Sequence, residues 1–432
     1  MKKSTESIRE SLFSFLDAAP TAFHATGEIV HRLESAGFTR LDEREKWALR
    51  PGSAYFVVRN DSAVIAFRMG QRVPHESGFL MAGAHTDSPL LKIKPEAESL
   101  GKNVVRVTTE IYGGPIVSTW LDRDLAIAGR VMVKSKKGWR AHMVDTKRPV
   151  AIIPNLAIHM NREVNKGFEY NPQNHMQAIL SVSNTPGSRS GVLKGLIAET
   201  IGVAEELVGE MDLFFYDPHP AAMLGVSREL YASGRIDNLA SCHAILTALI
   251  DAPKNDATAV AVFVDNEEIG SRTPMGADSG FLATVLERIV IAHDAGREEF
   301  HRALARSFLV SCDAAHALHP NFADKHDPYY APVMGGGPVI KSSAGFKYAT
   351  TAETAERFHD LCRHANVPCQ KITNRSDIPS GTTIGPMTSA LLSVPGVDVG
   401  IPIWAMHSIR ETAALADQGA LIAALSLLYR EK

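Results

Sequence analysis

Residue types that bind metals recur in this 432-residue chain just beyond apolar runs. His85 follows the apolar run at 78–84, Glu267 and Glu268 follow 259–264, Asp313 follows 308–311, and His407 follows 397–403. Asp237 stands in Gly-Arg-Ile-Asp-Asn at 234–238, where a helical pattern begins. Two imidazoles and three carboxylates, with Glu267 left over, form the mixed nitrogen and oxygen set that suits a pair of zinc or similar divalent ions. In such a pair one carboxylate bridges and a shared water loses a proton near neutral pH, which points to hydrolysis. Asp87, two residues after His85, is placed to accept the other ring N–H and fix the tautomer that binds metal. If the backbone at Glu267 and Glu268 is extended, the two side chains diverge, so one can bind metal while the other handles the proton of the water.

Taken singly, these residues have ordinary explanations. One histidine among 17 is normally a surface or satisfied core residue, and an acidic run such as 265–268 is normally a solvated face. Placement at four strand ends is harder to explain by solvation, because buried strands that end in acids need compensating charge. The elements around them give a way for the clusters to meet. Helical spacing covers 4–19 and 25–36, broken at Pro20; β-branched texture covers 54–67; helical patterns return at 238–249 and 413–429. Short alternating runs fill about 95–217. This alternation predicts an α/β domain interrupted by a mainly β second domain, and open α/β sheets gather ligands beyond the carboxyl ends of their strands.

Composition removes several classes of function. Hydrophobic residues at 45% and charged residues at 22% are ordinary globular usage, and a formal charge of -3 provides no positive field for nucleic acid. Cys242, Cys312, Cys362 and Cys369 show no C-x-x-C spacing and read as reduced thiols of a cytoplasmic protein. No stretch of 18 apolar residues or leader-like start suggests a membrane span or export. Cys312 should face away from Asp313 into the core, and the Gly-rich stretch 334–338 lacks a Gly-Lys-Ser/Thr ending and reads as a flexible loop near the cleft.

Eight tracts in order, at 20–25, 84–89, 119–125, 235–239, 265–271, 313–317, 380–386 and 406–411, make the chain resemble the M18 aminopeptidases, the aspartyl aminopeptidase family. The resemblance implies a di-zinc aminopeptidase-like three-layer α/β domain, contributed by 1–94 and 234–432, with a mainly β inserted dimerisation domain at 95–233. It implies one metal held by His85 and Asp313, a second by Glu268 and His407, Asp237 bridging both, and Glu267 as general base. Two zinc ions per subunit follow, with cobalt or manganese as substitutes. The family also implies a homo-oligomer, a tetrahedral dodecamer, in which His159 reaches toward a neighbour's active site. Lys341 and Tyr348 match positions near the substrate side chain, so that a lysine ammonium would pair with Asp or Glu; some members favour neutral residues instead. The expected activity is removal of single amino-terminal residues from peptides. A di-metal carboxypeptidase or deacylase on the same scaffold is the nearest alternative. A non-catalytic assembly or cargo protein would be expected to have lost the base or a ligand, and neither loss is seen.

Overall fold

The computed structural model describes residues 4–101, 103–182 and 191–431. Two compact units emerge: one comprises Met1–Asp87, Ala221–Met406 and Glu411–Lys432, the other Ser88–Pro220 with His407–Arg410.

The first unit is built on a nine-stranded sheet. Its order is Thr39–Arg40, Ala54–Arg59, Ala63–Arg68, Thr258–Val264, Phe79–His85, Phe308–Cys312, Gly396–Gly400, Val339–Lys341 and Gln370–Ile372. The central four strands, Thr258–Val264 through Gly396–Gly400, are parallel. Their carboxyl ends therefore lie on one side, and the expected ligands His85, Glu267, Glu268 and Asp313 follow three adjacent strands there.

Residue alternation assigns the two faces. Leu80, Ala82, Ala84, Val310 and Cys312 pack in one core with the helices Thr5–Ala18, Ala22–Ser35, Ile236–Ile250 and Leu415–Leu428. Phe79, Met81, Val260, Val262 and Leu309 pack in a second core with Phe281–Ile291, Arg297–Ala305 and Ile384–Leu392. The result is three layers, with a sheet whose strands read as continuous apolar runs because both faces are covered. Cys312 is fully buried in the first core, on the face opposite that of its neighbour Ser311. Within 54–68, Asn60 and Asp61 both take positive φ, the geometry of a tight hairpin turn, so the β-branched stretch folds into two strands.

The run 397–403 departs from expectation. It is two strands, Gly396–Gly400 in the main sheet and Pro402–Trp404 in a five-stranded sheet with Ala222–Leu224, Leu230–Ser233, Glu411–Ala414 and Ala315–His316. Pro402 has no N–H to continue a ladder, and the chain changes sheets at this point. His407 therefore follows a strand of a different sheet from those preceding His85, Glu267 and Asp313.

The second unit carries a six-stranded antiparallel sheet in the order Gly138–Asp145, Ala126–Ser135, Val208–Tyr216, Leu90–Gly101, Val104–Tyr112 and Ala178–Val182. Its core includes Leu91, Trp120, Ile127, Val131 and Phe215. The unit runs from Ser88 to Pro220, where sequence texture places about 95–217 and the family resemblance implies 95–233. The difference at the far end has a physical reason: Ala222–Leu224 and Leu230–Ser233 pair into the sheet containing Glu411–Ala414, a strand of the first unit.

Candidate metal centre

His85 ends its strand almost fully buried, and its Nδ1 lies 3.0 Å from the carbonyl oxygen of Asp87 and 3.3 Å from Asp87 Oδ1. A proton on Nδ1 satisfies both acceptors and leaves Nε2 with its lone pair, 3.7 Å from Asp237 Oδ1. Asp87 also accepts the backbone N–H groups of Glu267 and Glu268 at 3.1 and 3.2 Å. One carboxylate thus ties the end of the His85 strand to the turn carrying the two glutamates.

That turn is not extended. Glu267–Ile269 is a 3₁₀ turn, entered through Asn266 at positive φ and left through Gly270 at φ 96°. The expectation that the two glutamates diverge by strand alternation is therefore corrected. The Asp87 carboxylate caps the turn's free N–H groups, an arrangement that local sequence does not announce.

Asp237 has a different support. The helix Ile236–Ile250 begins with Asp237 and Asn238 outside helical geometry, across a cis Asp237–Asn238 peptide, and Arg235 before them takes positive φ. The Asp237 N–H donates to Glu411 Oε2 at 2.9 Å, and the Asn238 amide donates to the Cys312 carbonyl at 2.8 Å. These bonds tie Asp237 to the strand that delivers Asp313. Asp313 itself lies beside Gly400, where an added Cβ would stand 1.8 Å from the Asp313 carbonyl oxygen, so only glycine permits this approach.

Donor atoms of His85, Asp237 and Asp313 all lie within 4.8 Å of one another, and so do those of His85, Glu267 and Glu268. Crowded acids in a buried space hold protons strongly. Burial pushes the Glu267 carboxyl up to about 7, opposed by His85 and reinforced by Asp313, Asp87 and Asp237. Burial and the Asp87 charge likewise push Asp265 up to about 7. Burial raises Asp313 despite the opposing charge of Lys341. For His85, burial works against the charged form, but the Asp87 hydrogen bond and the charges of Glu267, Asp87 and Asp237 raise it well above its usual range. A set of acids this close, with an imidazole aimed among them, fits divalent zinc, which supplies the missing positive charge.

His407 belongs to the short segment His407–Arg410 of the second unit. Its Nδ1 lies 3.0 Å from the Gly114 carbonyl, so Nδ1 carries the proton and Nε2 the lone pair, as a ligand requires. His159 also lies in the second unit, exposed beside Ile158 and Met160, which are 48% and 70% exposed.

Lys341 is buried, with Nζ 3.4 Å from Asp313 Oδ1 and 5.6 Å from the Tyr348 ring centre. Burial disfavours its charge, yet Asp313 first, then Tyr348, Asp398 and Asp237, outweigh this and raise its proton affinity. The stretch 334–338, expected to be flexible, is held: Asp417 accepts the Gly335 and Gly337 N–H groups at 2.8 and 2.7 Å, just before the Val339–Lys341 strand. A cavity of about 490 Å³ lies elsewhere in the first unit, lined by His316, His319, Tyr330, Arg375 and Trp404 but by none of the five expected ligands.

Three supporting residues carried no assigned role in the sequence. Glu411 is buried beneath Asp237, and Asp265 is buried beside Asp87. Asp398 is fully buried next to Lys341, and a lone acid inside the apolar run Gly-Val-Asp-Val-Gly was its available signal.

Residues 15–429 match the family model described as aminopeptidase I zinc metalloprotease (M18). The chain belongs to the M18 family. It is a zinc metalloaminopeptidase, a peptide hydrolase. This M18 chain is 44% identical over 425 residues to a probable M18 family aminopeptidase 2 of Pseudomonas aeruginosa strain UCBPP-PA14, covering 98% of each chain. Its fold is similar to that in a cryo-EM structure of the Ape4 and Nbr1 complex, with TM-score 0.95 and 32% identity over 98% of this chain and 86% of that one. It is also similar to the S. cerevisiae mApe1 dodecamer, with TM-score 0.84 and 26% identity over 98% of each chain.

Proposed function

We propose that two zinc ions bind per chain, the first through His85 and Asp313, the second through Glu268 and His407, with Asp237 shared between them. The observation that carries this reading is the convergence of His85, Asp237 and Asp313 donor atoms in one buried cluster. His407 directly follows Met406 of the first unit, and its ring presents the tautomer a ligand needs. When bound, the zinc ions polarise the scissile carbonyl and lower the pKa of a water.

Glu267 takes the water's proton and passes it to the departing amine. In the metal-free chain burial pushes its carboxyl up to about 7, and its place beside the His85 and Glu268 donor atoms would put it within reach of a water held there. Asp87 orients the His85 ring and the Glu267 turn together. The free amino group of a peptide enters the acidic neighbourhood of the cluster, and the side chain of its first residue extends toward Lys341 and Tyr348. Pairing with the Lys341 ammonium gives a preference for amino-terminal Asp or Glu. A neutral preference is the second reading, favoured by the existing 3.4 Å contact between Lys341 and Asp313.

The enzyme works as a homo-oligomer, a dodecamer by analogy with the solved S. cerevisiae mApe1 dodecamer, with His159 of one copy directed at a neighbour's site. A cytoplasmic location agrees with four cysteines that form no disulfide. Turnover of short peptides, with the amino terminus free and N-acetylated, tests the function. Cleavage of the free-amine substrates alone is expected; cleavage of the blocked forms alone would indicate a carboxypeptidase-like or deacylase activity.

A further inference from the structure

One row of residues crosses the main sheet just below the metal-binding level. Gly83, Ser311, Asp398 and Lys341 stand side by side on adjacent strands, with register pairs Gly83 to Ser311, Ser311 to Asp398 and Asp398 to Lys341. Paired residues on neighbouring strands place their side chains on the same face about 5 Å apart. Asp398 and Lys341 are therefore neighbours, and both are buried, at 0% and 4% exposure.

Burial pushes the Asp398 carboxyl up from its ordinary value, and the groups around it work the other way, toward the ionised form. It accepts the Thr383 hydroxyl at 2.5 Å and the Ala349 N–H at 2.6 Å. The nine-residue helix Ile384–Leu392 begins against it. An added Cβ on Gly385 would lie 2.4 Å from both carboxylate oxygens, so the glycine lets the helix start approach the charge. Ala349 is the next residue after Tyr348, and Thr383 lies three residues beyond Ser380, which hydrogen-bonds Tyr348. The carboxylate thus joins the three segments that shape the surroundings of Lys341.

Lys341 consequently lies in contact with one carboxylate, Asp313, and in cross-strand register with a second, Asp398. Zinc binding commits the charge of Asp313 to the metal, but Asp398 stays outside the ligand set. We propose that Asp398 is a specificity-determining residue: it is the counter-charge of Lys341 outside the ligand set and limits how strongly the pocket favours an acidic amino-terminal side chain. The inference rests on the proposed contact between Lys341 and the substrate side chain. Neutralising Asp398 leaves the ammonium less compensated, so an incoming carboxylate gains affinity.

The test compares zinc-loaded wild type, Asp398→Asn and Lys341→Met on Asp-, Glu- and Leu-amide substrates. For Asp398→Asn, the ratio of acidic to Leu kcat/KM should rise on the order of tenfold, as one nearby charge in a partly screened pocket can produce. The gain should appear in the KM of the acidic substrates. A general packing defect would not raise selectivity for one charge. An unchanged or lower ratio in Asp398→Asn overturns the proposal. An unchanged ratio in Lys341→Met instead removes the pocket assignment on which it rests.

A second measurement needs no turnover. Melting temperatures of the two single variants and of the double variant form a cycle, in which compensating charges make the double variant less destabilised than the sum. If Asp398→Asn is insoluble alone, the added Lys341→Met substitution should restore soluble protein. Additive losses, or no restoration, contradict the compensation.

Discussion

Two acid-containing sites lie one row apart on the main sheet, and their charge balance differs. At the strand ends, Asp87, Asp237, Glu267 and Asp313 surround His85, and burial makes Glu267 and Asp313 hold protons more tightly than ordinary carboxylates. One row below, Asp398 is equally buried and burial pushes its carboxyl up too, but a hydroxyl and a backbone N–H bond it, a helix starts against it, and Lys341 stands in register on the next strand. Burial alone is therefore not the signature of a metal site. The difference lies in the balance: around His85 the carboxylates outnumber the positive charge that Lys341 and the imidazole supply, and an added cation makes up the remainder.

Breaking the upper cluster should have the largest consequences. Glu267→Gln should retain fold and zinc while kcat falls about 10²- to 10⁴-fold, the usual contribution of a general acid–base group; a near-normal rate would remove Glu267 from proton transfer. Asp237→Asn should lower both activity and zinc content measured by elemental analysis, since the shared ligand serves both ions. Full zinc occupancy in that variant would contradict the sharing. Asp87→Asn should weaken zinc retention against a chelator by about 10- to 100-fold, because its carboxylate orients a ligand without binding metal. Unaltered retention would reduce Asp87 to a turn-capping role.

The smallest expected effect concerns the metal-free protein. Glu267 and Asp265 are both pushed up to about 7, above their unfolded values. The folded state then binds more protons than the unfolded one from about pH 4 to pH 7, so this stability is present in acid and is lost as pH rises through 7. Thermal melts of chelated enzyme should fall between pH 5 and pH 8, with zinc reducing the fall. A metal-free melting temperature that rises across that range would contradict the assigned protonation.

Much of the main sheet was legible because its central strands are buried on both faces and so read as apolar runs ending in ligand types, as at His85 and Asp313. The spacing of the site was less legible. The 3₁₀ turn at Glu267 depends on Asp87, 180 residues away, and nothing near 267 encodes that capping contact. The split of 397–403 between two sheets was signalled only by Pro402, inside an otherwise continuous apolar run. The pairing of Asp398 with Lys341 is a matter of strand register between distant segments, which a linear pattern does not contain. Charge compensation is for that reason the property hardest to read before the fold is known.

Anomalous diffraction at the zinc absorption edge, on crystals of the zinc-loaded enzyme, tests the central claim most directly. Two peaks about 3.5–4 Å apart should appear, with Asp237 between them, His85 and Asp313 at one, and Glu268 and His407 at the other. A single peak, or zinc bound away from Asp237, would contradict the account.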